Sequence, residues 1–243
     1  MTRDFPRFDE PNYTVAAATL FADAAPSIPD GGELPTLREP EPDPDPDPAP
    51  VLNRRPEPLV RVEHRRIRLL SSYWHAGWTT AIASTWLRAG VSERLAAVAD
   101  SLPDRWGLAI FDAWRPIELQ RQLYDAAAMH PDLEPGFMAL PSDDPASPPP
   151  HVCGGAVDLT LTLDGTPIAS GTGFDDMTER ARAAFFEDIP GPARQIRRAL
   201  FHAMVSQDFV INEREWWHFE YGTRRWAAIT GRTPLYGPTS PSL

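Results

Sequence analysis

Alternation of hydrophobic and polar residues marks three stretches of the chain, and this period of two is typical of half-buried β-strands. The stretches are LVRVEHRRIRLL from Leu59, AVDLTLTL from Ala156 and EWWHFEYG from Glu215. Two further runs, WGLAIFDAW from Trp106 and DFVI from Asp208, are apolar enough to form buried strands. The pattern therefore predicts a sheet built from widely separated parts of the chain.

Apolar residues spaced three and four apart predict helices between these strands. The first is capped by Ser92 and places Leu95, Val98, Ala99 and Leu102 on one face. The others are PIELQRQLYDAAAM from Pro116, DDMTERARAAFF from Asp175 and PARQIRRALFHAMVSQ from Pro192. Strands interspersed with helices, and no glycine-rich nucleotide turn after a strand, predict an α+β fold.

The two ends of the chain lack this periodicity. Residues 1–58 include EPEPDPDPDPAP, in which proline removes backbone donors and the carboxylates repel one another, so an extended, largely irregular segment is expected. A second irregular segment, rich in proline and glycine, is predicted over residues 230–243. One ordered domain is therefore expected over residues 59–229.

Composition narrows the classes of function. The 34 acidic and 23 basic residues give a net charge of −11, and a nucleic-acid partner is not expected because such a partner requires a basic face. No apolar run approaches the roughly 20 residues of a membrane span, and no signal peptide is recognisable, so a cytoplasmic protein is predicted. The single cysteine, Cys153, excludes an intrachain disulfide and a cysteine-based zinc knuckle.

Three short segments carry groups that a purely structural sequence does not need. They are FDAWRP from Phe111, HVCGGAVD from His151 and EWWHFEY from Glu215. Catalytic zinc usually takes three nitrogen or oxygen ligands from the protein and keeps a fourth position open. His151, Asp158 and His218 supply such a set, and the two glycines between the first two ligands let the backbone turn tightly.

Glu215 and Arg115 are the candidate catalytic residues. Glu215 lies three residues before His218 and can take a proton from an activated water and pass it to a leaving amine. Arg115 stays charged and can stabilise an oxyanion. Other interpretations remain open: Arg115 can pair with Asp112 or cap a helix, and Glu213 and Glu220 compete for the role of base. An isolated histidine is also more often structural than a ligand.

Taken together, the segments resemble the D-alanyl-D-alanine dipeptidases of the VanX type, zinc peptidases related to D,D-carboxypeptidases and to hedgehog zinc domains. The family pattern S-x-H-x-x-G-x-A-x-D is matched by HVCGGAVD except at its first position. The family's E-W-W-H is matched from Glu215, and the arginine of its D-x-[YW]-R-P is matched by Arg115. The segment GTGFDDMTERA, from Gly171, resembles a fourth family motif. The resemblance covers roughly residues 60–226.

The resemblance implies a small central antiparallel sheet flanked by helices and one zinc ion per chain, bound by His151, Asp158 and His218. It makes Glu215 the general base and then the acid, and Arg115 the group that steadies the tetrahedral intermediate. It also makes Asp175 the carboxylate that holds the free ammonium of the substrate. The implied reaction splits D-Ala-D-Ala into two D-alanines, either in resistance to vancomycin-type antibiotics or in recycling of the cell wall.

One departure from the family concerns the substrate pocket. Pro149 stands where the family has serine two positions before the first zinc histidine, so a carbonyl remains there while a hydroxyl and an amide donor are lost. The preferred dipeptide is therefore open. Two alternatives to a dipeptidase also remain: a D,D-carboxypeptidase or peptidoglycan endopeptidase at the same site, and a zinc-stabilised binding module without turnover.

Overall fold

The computed structural model describes residues 14–21, 28–29, 31–37, 54–129 and 138–242. Most of the segment expected to be extended, including EPEPDPDPDPAP, lies outside these residues. Among the described residues, no helix has the length and apolar character that crossing a membrane requires.

The strands belong to a seven-stranded sheet and a separate two-stranded sheet. They are β1 (Val15–Ala16), β2 (Leu59–Arg61), β3 (Ile67–Leu69), β4 (Trp86–Arg88), β5 (Trp106–Asp112), β6 (Ala156–Leu163), β7 (Thr166–Ala169), β8 (Val210–Asn212) and β9 (Glu215–Glu220). In the large sheet, β6 pairs antiparallel with β5, β7 and β9, and β9 pairs antiparallel with β8. The expected α+β fold with a central antiparallel sheet is therefore confirmed, and two parallel pairings, β1 with β7 and β3 with β5, make the whole sheet mixed.

Helices flank the large sheet. They are α1 (Ala17–Leu20), α2 (Ser72–His75), α3 (Ala89–Ser101), α4 (Ile117–Ala128), α5 (Pro192–Val205) and α6 (Arg224–Thr230). The helix α3 begins at Ala89, directly after β4, whereas the sequence predicted a start after Ser92. A first-turn amide, that of Gly90, is satisfied by the carboxylate of Glu57 at 2.7 Å, so Ser92 is not needed as a cap.

The stretch from Leu59, predicted as one strand, forms two. Strand β2 pairs with β4 in the small sheet, whereas β3 pairs with β5 in the large one. A turn separates them, in which the amide of Ile67 donates to the carbonyl of His64 at 3.1 Å. The alternating pattern thus predicts extended chain correctly, but it does not predict the break between the two strands.

The predicted helix over residues 175–186 is wrong. This segment contains only a short 3₁₀ turn, Glu179–Ala181, because Asp175 takes the left-handed conformation (φ 55°) and the side chain of Asp176 accepts from the amide of Thr178 at 2.9 Å. From α5, the buried guanidinium of Arg197 fixes the segment by donating to the carbonyls of Ser170, Arg180 and Arg182 at 2.9, 2.8 and 2.6 Å.

Strand β6 lies at the centre of the core and is buried on both faces along its whole length. The side chains of Val157, Leu159 and Leu161 are fully inaccessible, and Trp216 and Trp217 on the adjacent β9 are 1% exposed. The tryptophan pair is therefore core, and the residues that β6 and β9 carry into the site stand on buried strands.

The ends of the chain pack against this domain in their described parts. Strand β1 extends the large sheet beside β7, and Phe21 stacks on Trp106 with ring centroids 6.0 Å apart. The described residues 232–242 contain no helix or strand, yet Tyr236 in this tail is completely buried. An irregular backbone is thus compatible with a fixed position.

Candidate metal and catalytic site

Two of the candidate metal ligands are neighbours across strands. Asp158 on β6 lies directly opposite His218 on β9, so both side chains project from the same face of the sheet. His151 reaches the same point from the loop before β6 and is 4% exposed. The pairing of β6 with β9, together with the loop before β6, therefore brings together His151 and His218, which are 67 positions apart in sequence.

The two imidazole nitrogens and the Asp158 carboxylate are spaced as a small metal ion requires. His151 Nε2 lies 3.3 Å from His218 Nδ1 and 3.3 Å from Asp158 Oδ2, and His218 Nδ1 lies 3.0 Å from Asp158 Oδ1. A tetrahedral zinc site with bonds of about 2.0–2.1 Å has ligand atoms roughly 3.3 Å apart. Among the described residues, this is the group of histidines and carboxylates with metal-binding spacing.

The outer ring nitrogens of both histidines are already engaged. Nδ1 of His151 lies 2.7 Å from the carbonyl of Ala113, which can only accept, so that nitrogen carries the proton and Nε2 presents its lone pair. Nε2 of His218 faces the carboxylate of Glu220 at 2.9 Å, which leaves Nδ1 for the metal. Such outer partners fix ring orientation and tautomer in metal sites.

Glycine is required at both positions of the turn between the first two ligands. Gly154 has φ 70°, and a Cβ there would lie 2.5 Å from the side chain of Leu59. A Cβ on Gly155 would lie 2.6 Å from the carbonyl oxygen of Tyr221. Between them and His151, the Cys153 side chain is buried, and burial raises the pKa of its thiol to about 12. Cys153 is thus a small packing residue in this turn.

Of the three competing glutamates, Glu215 lies on the side of His218 that faces the other candidate ligands. Its Oε2 lies 3.6 Å from His218 Nδ1 and accepts from the Asn212 side-chain amide at 3.1 Å. Burial raises the pKa of Glu215 above its ordinary value, as a group that exchanges protons near neutral pH requires. Glu220 is engaged with His218, and Glu213 with Arg225 at 3.1 Å.

Arg115 pairs with Asp112, as one interpretation of the sequence proposed, and also lies beside the candidate metal ligands. Its Nε donates to Asp112 at 2.8 Å and its Nη1 to Gln120 at 2.8 Å, so the side chain is held in one orientation. Its Nη2 lies 3.8 Å from Asp158 Oδ2, beside the metal ligands. Burial would lower the pKa of Arg115, but nearby Tyr73, Asp112 and Asp158 outweigh burial and raise it. The guanidinium is therefore a permanent positive charge at the site.

The two residues proposed to contact substrate are placed differently. Asp175 is buried at the cavity wall, where it accepts from the Tyr73 hydroxyl at 2.8 Å, and burial raises the pKa of its carboxyl well above the ordinary value. Pro149 is itself buried, and it is the flanking Pro148 and Pro150 that line the cavity. Asp175 is therefore in position for direct contact with a ligand, and Pro149 lies behind the wall.

The candidate residues other than Pro149 surround one cavity of about 400 Å³. Sequence reasoning gave no role to several of its lining residues, among them Tyr73 and Gln120. Tyr73 stands in the aromatic run SSYWHAGW, which is conspicuous in the sequence but does not indicate a function for any of its residues. The burial of the Gln120 side-chain amide is visible only in the structure. The cavity thus presents a metal-ligand triad, a carboxylate, a guanidinium and a second, tyrosine-bound carboxylate.

Metal binding is expected to tighten as the pH rises. Burial lowers the pKa of His218, but hydrogen bonds to Asp158 and Glu220 outweigh burial and raise it to about 10, so Nδ1 is protonated at neutral pH without metal. Because the metal must displace this proton, the apparent affinity for the metal should rise about tenfold for each unit by which the pH increases, as long as the pH stays below that pKa. Competition with a chromophoric chelator, corrected for the chelator's own protonation, measures this slope; equal affinity at pH 7 and 9 would contradict it.

The chain is similar in sequence to D-alanyl-D-alanine dipeptidases. The family model for peptidase M15, described as D-Ala-D-Ala dipeptidase, matches residues 84–230. A D-alanyl-D-alanine dipeptidase of Synechocystis sp. is 30% identical over 175 residues, which cover 58% of this chain and 71% of the relative. One of Escherichia coli is 39% identical over 115 residues, covering 46% of this chain and 54% of the relative.

Two solved structures also match, each over 61% of this chain and each with a TM-score of 0.37. One is the vancomycin-resistance D,D-pentapeptidase VanY in complex with Zn(II), at 17% identity and with 79% of its chain covered. The other is the vancomycin-resistance D,D-dipeptidase VanXYg in complex with a D-Ala-D-Ala phosphinate analog, at 18% identity and with 57% of its chain covered.

Proposed function

The chain belongs to the D-Ala-D-Ala dipeptidase family of peptidase M15, and from that premise we propose that it hydrolyses D-Ala-D-Ala at a zinc ion bound by His151, Asp158 and His218. The family expected from the sequence motifs is thereby confirmed. The observation that carries the assignment of zinc is the spacing of the ligand atoms, with two imidazoles and one carboxylate turned toward a common point.

Zinc in such a site supplies Lewis acidity, which polarises a carbonyl and activates water. Glu215, beside His218 Nδ1, takes the proton that the attacking water loses and returns it to the amine of the departing D-alanine. The amide of Asn212 holds the Glu215 carboxylate in place for both transfers. Each transfer therefore starts from a fixed position of the carboxylate.

Arg115 stabilises the negative charge that develops on the carbonyl oxygen of the peptide bond. Its contacts with Asp112 and Gln120 exist before substrate binds, so the guanidinium does not have to reorganise during the reaction. The Asp112 pair, an alternative interpretation from the sequence, is thus part of how Arg115 is held. The charge of Arg115 acts on the substrate, whereas Asp112 and Gln120 act by orienting the guanidinium of Arg115.

Asp175 binds the free ammonium of the dipeptide. A buried carboxylate that already accepts from Tyr73 retains lone pairs for a second donor, and an ammonium both supplies that donor and compensates the buried charge. A free amino terminus is thereby distinguished from an acylated one, because an amide nitrogen brings no positive charge. This preference separates a dipeptidase from a carboxypeptidase acting on longer chains.

Hydrolysis of D-Ala-D-Ala by the zinc-loaded protein, with L-Ala-L-Ala and N-acetyl-D-Ala-D-Ala in parallel, tests the proposal. We expect release of D-alanine from the free D,D-dipeptide alone. Cleavage of the acetylated compound would instead assign a carboxypeptidase. No turnover of any of the three by protein that contains stoichiometric zinc would favour the binding module.

Replacing Asp175 by Asn is expected to raise KM for D-Ala-D-Ala about 10–100-fold, since a hydrogen bond to a charged group contributes about 1.5–3 kcal/mol. Asparagine tolerates the left-handed conformation of this position, so the backbone should be preserved. Steady-state kinetics measures the effect, with Asp125→Asn, an exposed aspartate on α4, as the matched control. An unchanged KM would remove Asp175 from the substrate site.

A further inference from the structure

Residues 151–155, here called the metal corner, are held from outside through their backbone. The carbonyl groups of residues 152–155 all accept hydrogen bonds from other parts of the chain. The donors are Thr239 N to Val152 at 3.2 Å, Arg88 Nε to Cys153 at 2.9 Å, Arg88 N to Gly154 at 3.0 Å, and Tyr221 N to Gly155 at 2.8 Å. The position of His151 therefore depends on residues that are remote from it in sequence.

Arg88 makes two of these bonds and connects the metal corner with the segment before β2 and with the C-terminal tail. Its side chain is buried, and its other guanidinium nitrogens donate to the carbonyls of Glu57 at 2.6 Å and Gly237 at 2.8 Å. The guanidinium also lies over the ring of Tyr236, 5.3 Å from its centroid. Only the planar, multiply donating side chain of arginine can reach three carbonyls in this way.

The C-terminal tail supports the same corner. The amides of Leu235 and Tyr236 donate to the carbonyl of Gly222 at 2.7 and 3.1 Å, and the Tyr236 hydroxyl donates to Glu57 at 2.9 Å. Further along, the carbonyl of Thr239 accepts from the indole of Trp114 at 2.9 Å. The tail thus contacts the residue beside Arg115 as well as the metal corner, although it follows residue 230, where the family match ends.

We propose that Arg88 and tail residues 235–239 are positioning residues for metal binding, which fix His151 by holding the carbonyls of the metal corner. The functional domain then includes the tail that the sequence pattern separated from it. This inference rests on the proposed function, because it concerns the same zinc site. Glu57, in the segment before β2, takes part through its carbonyl and its carboxylate.

The full-length Arg88→Lys variant tests the role of the guanidinium. Lysine keeps the charge but donates from a single point, so it cannot serve all three carbonyls. We expect zinc affinity, measured by competition with a chromophoric chelator, to fall about 10–100-fold, the range seen for outer partners of metal ligands. Saturating zinc should restore most of kcat with little change in KM. Arg61→Lys, an exposed arginine stacked on Trp86, is the matched control.

Thr239→Pro supplies an independent test that leaves Arg88 intact. Proline removes the amide that donates to the carbonyl of Val152, and zinc affinity should fall here as in the Arg88→Lys variant. Ser242→Pro, at an exposed position of the tail, is its control. The apparent melting temperature of each metal-free variant is measured alongside, so that loss of fold is separated from loss of metal binding.

The outcomes distinguish the inference from the function on which it rests. Unchanged zinc affinity in both variants, with or without a lower melting temperature, would overturn the positioning role while the wild type still binds zinc and hydrolyses dipeptide. Wild-type protein that binds no zinc would overturn both. Weaker zinc binding in folded variants, recovered at saturating zinc, supports the inference.

Discussion

Replacing Glu215 by Gln is expected to lower kcat for D-Ala-D-Ala by about 10²–10⁴-fold, the contribution typical of a general acid–base group. Glutamine preserves the shape of the side chain and can still interact with Asn212, but it cannot take a proton from water. Because Glu215 lies outside the ligand triad, the zinc content should stay at that of the wild type. Steady-state kinetics and metal analysis on the same preparation measure both quantities.

Glu213→Gln is the matched control for this prediction. Glu213 stands two positions earlier in the chain and pairs with Arg225, so its loss should affect stability more than turnover. If Glu215→Gln protein turned over at nearly the wild-type rate, the base would have to be sought elsewhere. A large loss in Glu213→Gln with a small one in Glu215→Gln would reverse the assignment.

Removing a metal ligand is expected to have a larger effect. In His151→Ala protein, two ligands remain and zinc should be lost at micromolar concentrations, with hydrolysis reduced by about 10³-fold or more, since metal activation contributes several kcal/mol to such reactions. His151 is the better choice than His218, whose removal would also leave the buried carboxylates of Asp158 and Glu220 without their shared partner.

The control for His151→Ala is His202→Ala, a histidine of α5 that contacts the carbonyl of Glu33 and stands outside the metal-ligand group. It should retain zinc and activity. Wild-type protein treated with a chelator should match His151→Ala and, unlike the variant, recover when zinc is added back. Full activity of His151→Ala, or of the chelated wild type, would exclude the proposed metal site.

The candidate metal ligands could be predicted from the sequence because each lies in a segment with a strong local pattern. Alternation places Asp158 and His218 on strands, and glycine predicts the turn that follows His151. Their convergence could not be derived from spacing alone, since it depends on the pairing of β6 with β9. The resemblance to a known family supplied that link, and the structure places the three side chains together.

The predicted helix over residues 175–186 shows where periodicity misleads. Its apolar spacing suits a helix, but Asp176 satisfies the amide of Thr178 locally, and Arg197 takes backbone carbonyls that a helix would use itself. Arg197 lies on α5, and no sequence pattern connects it with this segment. The same limit applies to Arg88, because the pairing of a buried arginine with distant carbonyls leaves no periodic trace.

Strand β6 and the segment over residues 175–186 are held in place in different ways, so their amide hydrogens should exchange with solvent on different timescales. The amides of β6 lie in a ladder that is buried on both faces, so they should exchange only when the whole domain unfolds. Residues 175–186 lie outside any ladder and are held to the rest of the protein by side chains of Arg197 and Tyr73 and by one bond from the amide of Ala183 to the carbonyl of Glu213, so their amides should exchange through smaller, local openings. If Asp175 binds the amino terminus of the dipeptide as proposed, that contact can thus be lost and regained many times while the candidate metal ligands on β6 and β9 stay in place.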